Sequence, residues 1–321
     1  MEKILFSLAV VFSGLASGYL LSKLVPSMIF GSHHNAETRK NLQRIALLML
    51  NPIAFIGSIW ILNLKYQQLF AMPLMGFLAI FTGGAGALFL AKLMNLGRKE
   101  TGAFFCSGGF TNIGSIGALV CYAFFGEKGF AFVPLYKIFE ELSYYSIGFP
   151  VAKSFSESSK VKKEQKKNIF RDPFVIAALI SIAAGFFLNL SGIRRPEIYG
   201  KVNAVIIPVT SFMLLVSIGM AMQFSKMKEH LWKALPLLPL KHLLIPALTF
   251  TAAYFAGLGK IENGIPLKVV LVLSAMPVGF LSLVPPALYD LDIDLANTCW
   301  VISNSFMVVT VPVLMVLVSL F

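Results

Sequence analysis

The chain consists largely of successive apolar segments, each long enough to cross a lipid bilayer as an α-helix. A helix rises about 1.5 Å per residue, so roughly 20 apolar residues span the hydrocarbon core. Ten segments are expected to do so: Ile4–Leu24, Ile45–Leu64, Phe70–Met94, Thr101–Phe125, Gly129–Ala152, Pro173–Ser191, Val202–Gln223, Leu231–Gly257, Pro266–Leu288 and Ile293–Leu320. Because 57% of all residues are hydrophobic and only 13% are charged, a soluble domain is excluded. The sequence predicts an all-α polytopic membrane protein with ten transmembrane helices.

One basic segment, SESSKVKKEQKKNIFRD at residues 156–172, lies between the fifth and sixth apolar segments. Basic loops of membrane proteins stay on the cytoplasmic side. If this loop is cytoplasmic, both termini are extracytoplasmic, and the loops hold fourteen Lys and Arg residues inside against eight outside. We therefore predict a multi-pass protein of the plasma or inner cell membrane. The net charge of +12 then reflects contact with anionic lipid and requires no nucleic acid partner.

The basic segment divides the ten apolar segments into two sets of five. Because each set is odd in number, the second must enter the membrane from the opposite side, as in the inverted repeats of secondary transporters. A shift of 167 residues places Tyr122 on Tyr289 and Ser115 on Ser282. The prediction is a 5+5 inverted repeat, with the first five-helix repeat at residues 1–155, the basic cytoplasmic loop at 156–172 and the second five-helix repeat at 173–321.

Helix-breaking residues interrupt the fourth and ninth segments at equivalent places. The fourth contains FTNIGSIGALV from Phe110, and the ninth contains SAMPVGFLSLVPPALY from Ser274. In a helix interior glycine costs about 1 kcal/mol and proline about 3 kcal/mol, and lipid tolerates non-helical backbone only against protein or a wet cavity. We therefore predict that helices 4 and 9 are broken and cross each other in the middle of the membrane. The alternative is that these small residues only let helices pack closely.

The chemistry of the predicted crossover suits an anion. A half-helix that starts near Gly114 would present free N–H groups and the positive end of its dipole, and Asn112 would add a neutral donor and acceptor. The residues predicted to bind substrate at the two breaks are Thr111, Asn112, Gly114, Ser115, Pro277, Gly279 and Ser282.

Charged side chains inside the fifth segment indicate a second functional feature, because such charges are costly in lipid. Lys137, Glu141 and Tyr144 fall at i, i+4 and i+7 on one helical face, with Glu140 beside them. A Lys137–Glu141 pair would lower the cost of burial and leave one carboxylate over to bind a coupling proton. The alternative is a structural network that holds this helix against its neighbours.

Two further polar residues are predicted to belong to the substrate site. Lys241 in the eighth segment is the fixed positive charge nearest the middle of its span, so it is expected to attract a carboxylate or to pair with one of the two glutamates. Asn304 in the tenth segment is the counterpart of Lys137 under the 167-residue shift. His242 is expected at the lipid interface or in packing.

The motif GGFTNIGSIGALV resembles the fourth-span crossover of the auxin efflux carrier family, which is part of the bile acid/auxin-type transporter superfamily. The MP dipeptide of the ninth segment and LPLKHLLIPAL in the eighth are similar to that family as well. The resemblance implies a scaffold domain from helices 1, 2, 6 and 7, and a transport domain from helices 3–5 and 8–10 that carries the anion at the crossover. One departure is NIGSIGAL, where family members commonly read NTGFLGLP.

The pattern excludes most enzymes, since it contains no P-loop, no G-x-S-x-G and no His-rich metal cluster. We expect no cofactor and no metal, and we interpret Asp290, Asp292 and Asp294 as a solvated cytoplasmic joint, too short for a calcium loop. The function expected is an efflux-carrier-type secondary transporter of small organic anions, such as carboxylates. It would work by alternating access of the elevator type with proton coupling.

Two alternatives stay open: a sodium-coupled organic-anion symporter of the bile-acid type, and a non-transporting membrane sensor. The expected partners are the organic anion, the lipid bilayer and H⁺ or Na⁺. A homodimer is one assembly that the sequence allows.

Overall fold

The computed structural model describes residues 2–28, 33–156, 173–222 and 227–320. It is 84% helical, and the described residues form no β-strand. The prediction of an all-α protein is confirmed. The basic loop at residues 156–172 lies outside the described residues except for Ser156, so its cytoplasmic placement stays a prediction.

The α-helices are numbered in chain order. The first nine are α1 Glu2–Met28, α2 His33–Arg44, α3 Asn51–Trp60, α4 Ala71–Leu93, α5 Arg98–Gly109, α6 Ala118–Ala131, α7 Val133–Tyr136, α8 Glu140–Ser143 and α9 Phe149–Ser154. The others are α10 Pro173–Leu190, α11 Glu197–Gly219, α12 Met227–Ala234, α13 Leu237–Pro239, α14 Ile245–Phe255, α15 Ile265–Ser274, α16 Val284–Leu288, α17 Ile293–Ser305 and α18 Met307–Ser319.

Proline explains why several of these helices are interrupted. π-Helical turns at Ile45–Leu50, Tyr144–Gly148 and Leu240–Leu244 each run into a helix with proline in its first turn. A proline cannot donate to the carbonyl four residues before it, and its ring clashes with that carbonyl. The preceding turn therefore widens, as π-bulges do.

Five stretches among the described residues are long and apolar enough to cross a membrane: Glu37–Trp60, Gln67–Leu93, Pro173–Leu190, Glu197–Gly219 and Leu237–Phe255. Two bent helix pairs raise the number to seven, with bends of 76° and 45°. The prediction of ten spans is thus shown only in part. Helices α5 and α15, with 12 and 10 residues, are each too short to cross alone because the fourth and ninth segments are interrupted.

The chain divides into two compact units, each drawn from both halves of the sequence. Unit 1 contains the described residues of Met1–Tyr66, Gly114–Pro134 and Phe170–Met222. Unit 2 contains those of Gln67–Ile113, Leu135–Ile169 and Gln223–Phe321. The predicted repeat and domain boundaries, at residues 1–155, 156–172 and 173–321, stay predictions.

Close helix packing and a partly buried ion pair hold unit 1 together. A Cβ on Gly219 of α11 would lie 2.1 Å from the carbonyl oxygen of Leu15 in α1, so only glycine allows that approach. In α6 the chain bends at Gly126, where φ is +66°, and places Glu127 against Arg195. Arg195 also donates to the carbonyl of Gly57 at 2.9 Å. The amide of Asn203 reaches the same carboxylate.

Unit 2 packs around an aromatic core that anchors the first helix break. The rings of Phe110 and Tyr144 lie 4.2 Å apart between centroids, and Phe149 stacks on Phe110 at 6.1 Å. Helices α4 and α5 meet where a Cβ on Gly83 would lie 2.2 Å from the carbonyl oxygen of Gly108. The buried residues of this core are Ala103, Phe105, Cys106, Phe110, Tyr144, Phe149, Ala152, Tyr289, Leu291 and Ala296.

Candidate functional site at the paired helix breaks

Two stretches of non-helical backbone meet inside unit 2. Helix α5 ends at Gly109 and α15 ends at Ser274, and the segments that follow pair through an isolated antiparallel bridge between Thr111 and Val278. The N–H of Asn112 donates to the carbonyl of Pro277 at 2.8 Å, and the N–H of Gly279 donates to Phe110 at 3.0 Å. The backbone groups freed by the two breaks thus satisfy each other, which matters where no water is at hand.

The two paired breaks lie at equivalent positions in the two halves of the sequence. Thr111 and Val278 are 167 residues apart, the shift that relates the two halves of the sequence. The same shift relates the donors Asn112 and Gly279, and the acceptors Phe110 and Pro277, of the two hydrogen bonds beside the bridge. The helices that lead into the breaks begin at Arg98 and Ile265, again 167 residues apart.

Glycine is required at the second break by close approach. A Cβ on Gly279 would lie 2.7 Å from the carbonyl oxygen of Thr111, which is backbone and cannot yield. By contrast, a Cβ on Gly109 at the end of α5 would meet nothing closer than 3.7 Å. Alanine substitutions at Gly279 and Gly109 can therefore be compared directly, because only the first would bring a Cβ too close to the backbone.

Lys241 is fully buried beside the first break. Its Nζ donates to Thr111 Oγ1 at 2.6 Å and to the carbonyl of Phe110 at 3.3 Å. Both acceptors are neutral, and no carboxylate among the described residues lies within ion-pair distance of Nζ. The π-helical turn before Pro246 places this side chain. The site thus holds a buried lysine whose hydrogen bonds all go to neutral oxygens.

A chain of polar contacts runs from the same break into the region after α7. The N–H of Thr111 donates to the Tyr144 hydroxyl at 2.9 Å, and that hydroxyl donates to Glu140 Oε1 at 3.2 Å. Glu140 Oε2 lies 3.0 Å from Lys137 Nζ. Together with the Lys241–Thr111 bond, these contacts connect two lysines through one buried carboxylate.

Lys137 forms an ion pair at 3.0 Å with Glu140, the glutamate expected beside the helical face of Lys137 and Glu141. The pairing of Lys137 with Glu141, four residues on, stays a prediction. Helix α7 ends at Tyr136 and α8 begins at Glu140, so residues 137–139 form a turn rather than continuous helix. Glu140 is buried, whereas Glu141 is only partly buried.

The second break is held by polar side chains of α17. Asn304 donates from Nδ2 to the carbonyls of Val278 and Trp300, at 3.1 and 2.8 Å. Its Oδ1 and the Oγ of Ser282 are buried and have no hydrogen-bond partner among the described residues. Buried polar atoms without partners are rare in proteins, so these two oxygens are candidates for contact with a ligand.

His242 is a residue whose role the sequence did not reveal. Its Nδ1 lies 3.1 Å from the carbonyl of Ala275, which can only accept, so Nδ1 donates. In the neutral ring Nε2 then accepts from the Ser303 hydroxyl at 3.1 Å, and Ser303 Oγ accepts from the N–H of Val278. His242 thereby positions the second break rather than facing lipid. No local pattern distinguishes it.

Most of the predicted site residues lie in one unit. Those in unit 2 are Thr111, Asn112, Lys137, Glu140, Glu141, Lys241, Pro277, Gly279, Ser282 and Asn304. Gly114 and Ser115 belong to unit 1, in the π-helical turn Ile113–Gly117 before α6. The direct contacts above join Thr111 to Lys241 and, through Tyr144, to Glu140. Their role in substrate binding stays a prediction.

Two cavities in unit 2 have volumes of about 300 and 180 Å³, and the smaller one is lined by Gly109 and Phe110 at the first break. Their lining is mainly apolar, with Phe77 and Ile147 in both, and neither is lined by Lys241. They offer room for an apolar group but no cation for an anion.

The fold and the site define a multi-pass helical membrane protein with a buried, charged centre at broken helices. Comparison with known proteins identifies the family: the one described as membrane transport protein matches residues 63–315. The chain therefore belongs to this family, and the prediction of an auxin efflux carrier family member is confirmed.

Two relatives are similar over most of their length. An uncharacterized transporter of Methanothermobacter thermautotrophicus is 22% identical over 281 residues, which cover 86% of this chain and 88% of the relative. An uncharacterized transporter of Methanocaldococcus jannaschii is 25% identical over 287 residues, covering 87% of this chain and 89% of the relative. Family and relatives both indicate membrane transport rather than enzymatic catalysis.

Proposed function

We propose that this protein is a secondary active transporter of the efflux-carrier type, with small organic carboxylates as substrates. The observation that carries the proposal is Lys241, a fully buried ammonium group that contacts only neutral oxygens at the paired breaks. Burying a charge without a counter-charge costs several kcal/mol. A carboxylate bound beside Lys241 would offset that cost, so the site favours anions.

The proposed substrate site extends over both breaks. Asn112 and Thr111 would orient the anion from the first break, and Ser282 and Asn304 would contribute from the second. Pro277 and Gly279 would shape the backbone. Support comes from the buried Ser282 Oγ and Asn304 Oδ1, which lack partners among the described residues.

Proton coupling is proposed to act through Glu140, with Glu141 as the second acid of the network. Glu140 is buried between Lys137 and the Tyr144 hydroxyl, and Tyr144 also accepts from the backbone of Thr111. An anion bound at Lys241 would offset the positive charge of this lysine, and the negative form of Glu140 would then be less favoured. Proton binding and anion binding would then favour each other, and linkage makes such coupling reciprocal.

The mechanism proposed is alternating access of the elevator type in a ten-helix, 5+5 inverted repeat. Unit 2 would act as the transport domain, because it holds the paired breaks and the buried charges, and unit 1 would act as the scaffold. The symmetric hydrogen bonds around the Thr111–Val278 bridge support the repeat. A change in the distance between spin labels at Ser191→Cys and Lys260→Cys, one in each unit, on substrate binding would test the motion.

Sodium-coupled transport is the second candidate. The observation that favours it is the pair of buried oxygens without partners, Ser282 Oγ and Asn304 Oδ1, since hard cations prefer oxygen ligands. Under this alternative, ligand binding would require sodium and would not depend on pH.

The proposal is tested by a thermal-shift screen on the purified protein at an acidic and a neutral pH, with and without sodium. The probes are succinate and benzoate, with succinamide and benzamide as uncharged controls of the same shape. We expect the carboxylates to raise the melting temperature, more at acidic pH, and the amides to have no effect. Stabilisation that needs sodium and ignores pH would replace proton coupling with sodium symport. Equal effects of acids and amides would refute the anion site.

A further inference from the structure

Three metal-ligating side chains converge in unit 2 at a place that the proposed transport site does not use. Glu100, His230 and Asp292 each offer one ligand atom, and these atoms all lie within 4.8 Å of one another. Glu100 is in the first turn of α5, whereas the first break follows Gly109 at the other end of that helix. Nine residues of helix separate the two features by about 14 Å.

The local structure fixes both carboxylates where they are. Glu100 Oε2 accepts from the N–H of Gly97 at 2.9 Å, which caps α5. Asp292 is the N-cap of α17, and its Oδ1 accepts from the N–H of Leu295 at 2.8 Å. Each carboxylate is thus oriented by a helix N-terminus. Asp292 Oδ2 has no hydrogen-bond partner among the described residues.

His230 supplies an independent indication of a ligand. It lies in α12, and its Nδ1 is buried without a hydrogen-bond partner among the described residues. Buried polar atoms without a hydrogen-bond partner are rare, and a bound ion or water is a common explanation for them. Because one ring nitrogen of His230 lies within 4.8 Å of ligand oxygens from two carboxylates, a cation is the partner that fits the cluster.

The electrostatics of the cluster agree with a bound cation. Two carboxylates and one imidazole converge here. One ammonium group, that of Lys233, forms an ion pair with the Glu100 carboxylate. The cluster therefore already holds a positive charge next to its carboxylates.

We propose that Glu100, His230 and Asp292 bind one divalent transition-metal ion, with Zn²⁺ as the best match. One imidazole nitrogen and two carboxylate oxygens are ligands that zinc accepts, whereas magnesium and calcium prefer oxygen alone. Two carboxylates balance the charge of the ion, and water completes the coordination. Zinc ligands at about 2.0–2.2 Å require the side chains to move slightly closer together. The Lys233 ammonium group, which pairs with Glu100, would compete with the ion for that carboxylate.

Such a site would link the starts of α5 and α17 to α12. The three elements are distant in the chain, so the ion would cross-link one end of unit 2. This proposal differs from the sequence-based expectation of a solvated acidic joint and no metal. The sequence could not indicate the site, because the ligands are scattered over 193 positions of the chain, Glu100 to Asp292 inclusive.

The test uses the full-length protein in detergent, stripped with EDTA and titrated with zinc by calorimetry, with magnesium as the comparison ion. We expect one zinc per chain and a higher melting temperature in zinc, but not in magnesium. Removing a group that only orients a metal ligand weakens metal binding about 10- to 100-fold. His230→Gln and Asp292→Asn each remove a proposed ligand itself, so each should weaken zinc binding at least that much. Asparagine is also a good N-cap, so Asp292→Asn should leave α17 intact.

Two controls separate a metal site from an ion-pair cluster. Asp290→Asn, which removes an exposed carboxylate paired with Lys99 at 2.7 Å, should leave zinc affinity unchanged. Lys233→Met should tighten zinc binding, because it removes the competing ammonium group. Two results would overturn the proposal: zinc binding by the intact protein no stronger than by His230→Gln, or binding unaffected by Asp292→Asn.

Discussion

Both units contain an ion pair that is largely removed from solvent, but only in unit 2 is there, among the described residues, a fully buried lysine outside such a pair. In unit 1, Arg195 and Glu127 form a close ion pair, with side chains only 14% and 18% exposed, and Arg195 also donates to the carbonyl of Gly57. Asn203 adds a further donor to Glu127. In unit 2, Lys241 is completely buried and contacts only neutral oxygens.

The difference indicates that charged side chains removed from solvent have two roles in this protein. An ion pair in which each charge has one counter-charge holds helices together, and removing one partner leaves the other charge uncompensated. A buried lysine that makes no direct ion pair has capacity left for an external anion. We therefore interpret the unit 1 pair as structural and Lys241 as functional, and the following predictions test that distinction.

The largest expected effect is on the stability of unit 1. Arg195→Met leaves Glu127 buried without its counter-charge, which should lower the free energy of unfolding by about 3–5 kcal/mol. Denaturant unfolding in detergent measures this. The matched control is Arg194→Met at an exposed neighbour, for which the change should stay within about 0.5 kcal/mol. The double variant Arg195→Met/Glu127→Gln should recover most of the loss; equal loss in the single and double variants would contradict the interpretation.

The second effect is on ligand binding by unit 2. Lys241→Met keeps the length of the side chain and removes the charge, so carboxylate binding should weaken about 100-fold, as when one partner of a buried charge pair is truncated. The melting temperature without ligand should stay close to the original value, because no buried counter-charge is left unpaired. Succinate and benzoate titrations report the first quantity. Lys260→Met, at an exposed lysine, is the control, and a large loss of stability in Lys241→Met would make this lysine structural as well.

The third effect concerns the backbone at the paired breaks. Gly279→Ala should destabilise the protein by about 1–3 kcal/mol, because the new Cβ would lie 2.7 Å from the Thr111 carbonyl oxygen. Gly109→Ala, with no atom closer than 3.7 Å, should be neutral or slightly stabilising. Comparison of the two melting curves measures the cost of close approach alone. Similar curves for both variants would mean that the breaks do not approach as closely as described.

The fourth effect concerns the polar chain that leads to Glu140. Tyr144→Phe removes a hydroxyl that accepts from the N–H of Thr111 and donates to Glu140. The buried N–H left without a partner should cost about 1–3 kcal/mol. Under the proposed proton coupling, the pH dependence of carboxylate binding should also flatten in this variant and in Glu140→Gln. Unchanged pH dependence in both variants would exclude this route for the proton.

The sequence by itself determined the class of structure, because composition and helix breaking are local properties. Long apolar segments can satisfy their backbone in lipid only as helices, so an all-α membrane protein followed from the sequence. The glycines and prolines around Asn112 and Gly279 likewise marked where the helices break, and the crossover motif indicated the family. Lys241 and Glu140 were recognised as candidates because charge in an apolar segment is costly.

Only the tertiary structure decided which of these groups meet. Glu140 contacts Lys137 across the interruption of the helix between Tyr136 and Glu140. The contact of Lys241 with Thr111 joins residues 130 positions apart, and the convergence of Glu100, His230 and Asp292 depends on three separate elements. Such contacts follow from how helices pack rather than from any local pattern, since a period of 3.6 residues fixes neighbours only within one helix.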